Sequence, residues 1–140
     1  MYVFPIVLIV GSNIIYNISQ KSTPGRANPF LALLVTYLVA ALLTAIALFF
    51  HASDNGMLKS VKELNWTSVL LGFSIVGLEF GYLMAYRAGW NISVGSLVAN
   101  IALAVALIPV GIFLYNESFE LHKIIGAALC IAGLVLINLK

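Results

Sequence analysis

Charge is what this sequence has least of. Seven Lys and Arg and five Asp and Glu make 9% of 140 residues, whereas 62% are hydrophobic; an ordinary soluble domain is about a quarter charged. That balance excludes a soluble globular fold, because no core of this length hides so much apolar surface. The net charge of +2 is carried by scattered basic residues rather than a patch, which argues against nucleic acid as a partner. One cysteine, Cys130, precludes an intrachain disulfide and reads as a small buried side chain. No Lys or Arg precedes Lys21, so the first apolar run lacks the basic start of a signal peptide and is read as a retained transmembrane helix. Period-two alternation is missing, which excludes a membrane barrel. Metal-ligand clusters, a nucleophile with an adjacent base and a phosphate-cradling loop are also missing. No enzyme, cofactor or metal site is therefore expected. His51 and His122 stand at helix ends and are expected at the interface. The N-x-S/T matches at Asn17, Asn65, Asn91 and Asn116 lie too near the bilayer for glycosylation to carry weight.

What is present is a series of apolar runs, each able to span about 30 Å of hydrocarbon with roughly 20 helical residues. The expected fold is an all-α membrane protein, a single domain over 1–140 with five transmembrane helices at about 2–19, 29–51, 66–88, 92–115 and 121–139. Pro24, Gly25 and Arg26 mark the first linker, and Pro29 suits the first turn of the second helix. The longest polar break, 52–65, contains the turn signal Asp54-Asn55-Gly56 and then Lys59, Lys62 and Glu63, which fit a short interfacial helix. Trp66 and Trp90 serve as aromatic anchors. Gly89-Trp90-Asn91 imply a tight hairpin between the third and fourth helices, and Glu120 is spaced to pair with Lys123. Five crossings place the termini on opposite sides. Lys59, Lys62 and Lys123 then face Lys21, Arg26, Arg87 and Lys140, a near tie that allows insertion in both orientations and an antiparallel homodimer.

Glu79 is the one acid far from any helix end. Thirteen residues beyond Trp66, at about 1.5 Å each, put it near the bilayer midplane. A bare carboxylate there costs several kcal/mol, so it must face protein or water, be paired, or hold its proton. It is a candidate for proton coupling or cation binding; the alternative is a structural carboxyl bonded to a neighbouring helix. Tyr82 and Tyr86 follow on the same helical stripe, able to present rings to an organic ligand or simply to sit toward the interface. Asn13, Tyr16, Asn17 and Gln20 form a polar stripe on the first helix, and Ser93, Ser96 and Asn100 another on the fourth. Both are expected to point inward, as interhelical glue or as substrate lining. Pro109 should kink the fourth helix. Gly77 and Gly81, and Gly126 and Gly133 with Ala128 and Ala132, mark small-residue faces suited to close packing and to dimer contacts.

The run Tyr115-Asn116-Glu117-Ser118, followed by Ile124-Ile125-Gly126-Ala127-Ala128-Leu129-Cys130-Ile131-Ala132-Gly133, resembles the closing signature of the EamA-like repeat of the drug/metabolite transporter superfamily. Val10-Gly11-Ser12-Asn13 resembles that repeat's opening, and Tyr82 to Ala88 the end of its third helix. Asn116 stands where the family usually has Gly, Val10 where it has Trp, and Pro109 nearer the acidic turn than the usual proline. The final helix is also similar to that of the small multidrug resistance family, whose essential acid lies in helix 1, where this chain has none. The resemblance implies a five-helix half of an inverted-repeat transporter, paired with another copy around a cavity. Its expected substrates are small organic metabolites or drugs, and its expected setting is membrane lipid, in a prokaryotic inner (plasma) membrane. A non-transporting subunit of a heteromeric complex, or a lipid-carrier flippase subunit, is the alternative.

Overall fold

A computed structural model describes residues 3–51, 63–116 and 120–138. Among these the regular structure is helical: α1 (Val3–Ser22), α2 (Pro29–His51), α3 (Trp66–Arg87), α4 (Ile92–Tyr115) and α5 (Leu121–Asn138). The chain forms two compact units, Met1–Ala88 and Gly89–Lys140. In the first, α1 and α2 each pack on α3; in the second, α4 packs on α5. The turn signal at 54–56, Lys59, Lys62, Glu117 and Lys140 lie outside the described residues, as does the side chain of Lys123.

Four helices, at Val3–Ser22, Pro29–Phe50, Trp66–Arg87 and Ile92–Tyr115, are long and apolar enough to cross a membrane. The expected fifth crossing differs, because the apolar run Ile124–Ile137 is shorter. Glu120, His122 and Lys123 put polar groups at the start of α5 and shorten its apolar length. Glu120 there lies 3.3 Å from His122 Nδ1, both groups being well exposed.

The helix ends follow from asparagine chemistry. Asn28 caps α2, its Oδ1 accepting from the Phe30 and Leu31 amides at 2.9 and 3.4 Å, with Pro29 in the first turn where no amide proton is needed. Asn65 caps α3 by accepting from the Thr67 amide at 3.0 Å. Asn116 ends α4 in the left-handed region, at φ 51° and ψ 35°. Glycine is easiest there and asparagine next, which accounts for an Asn at the resembled family's Gly. Gly89 takes φ 99° just past α3, a backbone that L side chains rarely adopt. Three of the four sequon asparagines, Asn65, Asn91 and Asn116, thus stand at helix ends, Asn91 without a side-chain capping bond.

Helix α1 continues to Ser22, three residues past the expected end at Ser19. Ser19 Oγ donates to Ile15 O at 2.8 Å and Thr23 Oγ1 to Ser19 O at 3.0 Å. These hydroxyls find acceptors on the preceding turn, and Gln20 and Lys21 are good helix formers, so the polar run Gln20-Lys21-Ser22 continues the helix instead of starting a linker. Helix α4 runs on through Pro109 as one helix. Cys130, expected to be buried, is exposed, as are most of the described residues of α5, which packs on α4 alone within its unit.

Candidate functional site

Contact among α1, α2 and α3 is confined to one end. Asn17, Leu33, Leu83 and Tyr86 are buried, and the half-buried residues of the three helices fall in the same turns, from Tyr16, Pro29 to Tyr37, and Glu79 onward. Leu83 is the central plug, 1% exposed. Phe30 of α2 stacks on Phe80 of α3, with centroids 5.4 Å apart and planes 13° from parallel.

Polar groups tie this end together. Tyr86 donates its hydroxyl to Asn17 Oδ1, and Asn17 Nδ2 donates to Asn13 O at 2.8 Å and reaches Asn13 Oδ1 at 3.3 Å. Arg87 Nη2 donates to Ala27 O at 2.8 Å and Pro24 O at 3.2 Å, so one guanidinium nitrogen pins the α1–α2 linker to the end of α3. Lys21 Nζ lies 3.5 Å from Tyr86 O and 5.7 Å from the centre of its ring, within cation–π range. Edge-to-face contact of Tyr16 with Tyr82, at 5.6 Å and 85°, and a tilted contact of Tyr82 with Tyr86 at 6.0 Å complete the cluster.

Just inside the tie lies a cavity of about 100 Å³. Helix α1 lines it with Tyr16, Ser19 and Gln20, the linker with Thr23, α2 with Ala32, Leu33 and Thr36, and α3 with Glu79 and Leu83. Glu79 Oε2 is buried without a hydrogen-bond partner. A second, apolar groove of about 430 Å³ runs along α2 and α3 between Tyr37 and Val76.

The residues singled out in the sequence divide accordingly. Glu79 and Tyr16 line the cavity, Tyr82 stacks beside it, and Asn17 belongs to the tie. Asn13 was expected to point inward but is exposed, and it serves as the acceptor for Asn17. Asn100, also expected inward, is exposed on α4 in the second unit and donates to Ser96 O at 2.9 Å and Ser96 Oγ at 3.3 Å. One half of each amide is met along its own helix one turn away. The glycines of the expected packing faces stay open: no atom lies within 4 Å of where a Cβ would stand on Gly77, Gly81, Gly126 or Gly133. Sequence reasoning passed over Ser19, Thr23 and Thr36, whose hydroxyls sit singly within or beside apolar runs, and Lys21 and Arg87, counted only as loop charge.

No curated protein and no solved structure matches this chain significantly. The model of the EamA-like transporter family matches residues 3–139, nearly the whole length. An all-helical chain with several membrane-crossing helices and a polar cavity set among them belongs to the EamA-like transporter family.

Proposed function

We propose that this protein is a secondary active transporter of small organic solutes, driven by protons taken up at Glu79 and working as a pair of copies by alternating access. Family membership supports transport. The observation that carries the coupling role is Glu79 Oε2, buried, without a donor, on the wall of a polar cavity. A carboxylate so placed is costly at membrane depth, and either a proton or a cationic solute relieves that cost. Exchange of one for the other couples their movements, provided that each is released on the opposite side. Pairing is supported by the open glycine faces of α3 and α5 and by near-balanced loop charges, which suit two opposed copies. In that arrangement α5 completes five crossings and each chain is one half of an inverted repeat.

The test is uptake by proteoliposomes under an imposed proton gradient, with a panel of labelled amines, amino acids and sugars. Glu79→Gln keeps the volume but not the titration, and should cut gradient-driven uptake at least about tenfold while leaving the folded yield unchanged. Undiminished gradient-driven uptake by Glu79→Gln refutes the coupling role. Uptake by the wild type only after a second membrane protein is added would make the chain a subunit instead.

A further inference from the structure

The cavity at Glu79 is one-sided in its hydrogen-bond chemistry. A hydroxyl carries a single proton, and three of those lining the cavity have spent theirs on backbone carbonyls four residues back. Ser19 Oγ donates to Ile15 O at 2.8 Å, Thr23 Oγ1 to Ser19 O at 3.0 Å, and Thr36 Oγ1 to Ala32 O at 3.0 Å. What each leaves over is oxygen lone pairs. Glu79 adds a carboxylate oxygen with no donor of its own, and an ionised carboxylate only accepts. Gln20 Nε2 donates one of its two N–H groups to Tyr16 OH at 3.3 Å, which leaves the Gln20 carbonyl as a further acceptor, with the second Gln20 N–H and the Tyr16 proton as the exceptions. No Lys or Arg is among the described residues that line this cavity.

An acceptor-rich wall with one negative charge selects a ligand that is positive and rich in donors. We propose that the cavity binds the head of a small primary ammonium ion, R–NH3⁺, and that the solutes carried are amines rather than anions or neutral molecules. The inference rests on the transport reading above and names its substrate class. Three N–H groups match the Glu79 carboxylate and two of the hydroxyl oxygens, and bonds to an ionised carboxylate are the strongest of these. Size agrees: about 100 Å³ holds about three water-sized groups at about 30 Å³ each, an ammonium and its first one or two methylenes. Leu33, Leu83 and Ala32 supply the apolar wall for those carbons. A quaternary ammonium carries the charge but brings no N–H and adds three methyl groups, so it meets the same wall with nothing to donate.

Equilibrium binding to the purified full chain in nanodiscs tests this without any gradient. n-Butylammonium chloride should bind saturably by calorimetry. Butyltrimethylammonium should bind at least about tenfold more weakly, as expected for losing donors to a charged acceptor, and butyrate and 1-butanol should give no saturable heat. Thr36→Val, which replaces one lone-pair donor by a methyl of similar shape, should weaken butylammonium several-fold, and Glu79→Gln by more than that. Quaternary binding as tight as primary, binding of butyrate or butanol, or displacement of butylammonium by equimolar sodium would overturn the proposal, the last by making this an alkali-cation site. Glu79-dependent uptake of other solutes without butylammonium binding overturns the substrate class alone. Butylammonium binding without uptake supports the site and removes the transport reading instead.

Discussion

The first three helices behave differently along their own lengths. From Val3 to Ile15, Leu38 to Phe50 and Trp66 to Leu78 every residue is exposed, whereas the remaining turns hold all the buried side chains among the described residues of the unit. Hydrophobicity does not make the difference, since the open halves are the more apolar. In lipid an apolar side chain gains little by leaving hydrocarbon for a neighbouring helix, so association rests on packing and on polar ties. The tied half has both: Leu83 seated among three helices, and Tyr86, Asn17, Arg87 and the linker carbonyls joined across them. Glu79 lies at the boundary, where the tied half gives way to the open one. That is a suitable place for a site closed on one side and reachable from the other.

If packing in the tied half holds the unit together, Leu83→Ala should have the largest effect. Removing a side chain that is 1% exposed should cost about 2–4 kcal/mol, read as lowered resistance to unfolding in mixed micelles, whereas Leu71→Ala in the open half of the same helix should stay within about 0.5 kcal/mol. Equal effects at the two positions would erase the contrast. Next comes Arg87→Lys. The charge survives but the planar Nη2 that reaches both Pro24 O and Ala27 O does not, so about 1–2 kcal/mol should be lost, and protease cutting within 23–28 should speed up. Unchanged protection of that linker would show that the two bonds do not hold it.

Tyr86→Phe should be milder. Polar ties between membrane helices average about 0.6 kcal/mol and reach about 1.7. The loss should vanish in an Asn17→Leu background, because only the bond between the two is removed; additive losses would mean that each acts alone.

Much of this arrangement was legible in the sequence, and what was not has a common cause. Apolar runs and their Gly, Pro and Asn punctuation place the helices, and an acid alone in such a run draws attention to Glu79. Tyr16 and Asn17 could be found because helical periodicity joins them to Asn13 and Gln20. Arg87 and Lys21 could not, since their partners stand 60 or more residues away in the chain and no local period connects them. Thr36 was hidden because one hydroxyl in an apolar helix normally bonds its own preceding turn. It does so here as well, and the same residue lines the cavity. The expectation for α1 stopped at Ser19 because the polar run Gln20-Lys21-Ser22 before Pro24 and Gly25 looks like a linker, although Gln and Lys are good helix formers.

The smallest effect on the chain itself is expected where nothing is packed. Gly126→Leu with Gly133→Leu meets no atom within 4 Å at either Cβ, so folding should change by no more than about 1 kcal/mol, and in the favourable direction, as Leu replaces Gly in a helix. Cys130 stands four residues after Gly126 and three before Gly133, on the same helical face, and it is exposed. It also sits at the middle of α5, the one height that two crossing copies share whether they run parallel or opposed. If this face joins two copies, mild oxidation in the membrane should link them through Cys130, because glycine-lined helices approach closely enough for the Cα separation of about 4.4–6.8 Å that a disulfide needs. The double Leu variant should then lose the cross-link and the uptake together while remaining folded. A cross-link that survives both leucines would place the contact elsewhere. Loss of the cross-link with full uptake would show that the pair formed on this face is not the transporting unit, and Gly77 and Gly81 on α3 would become the next face to test.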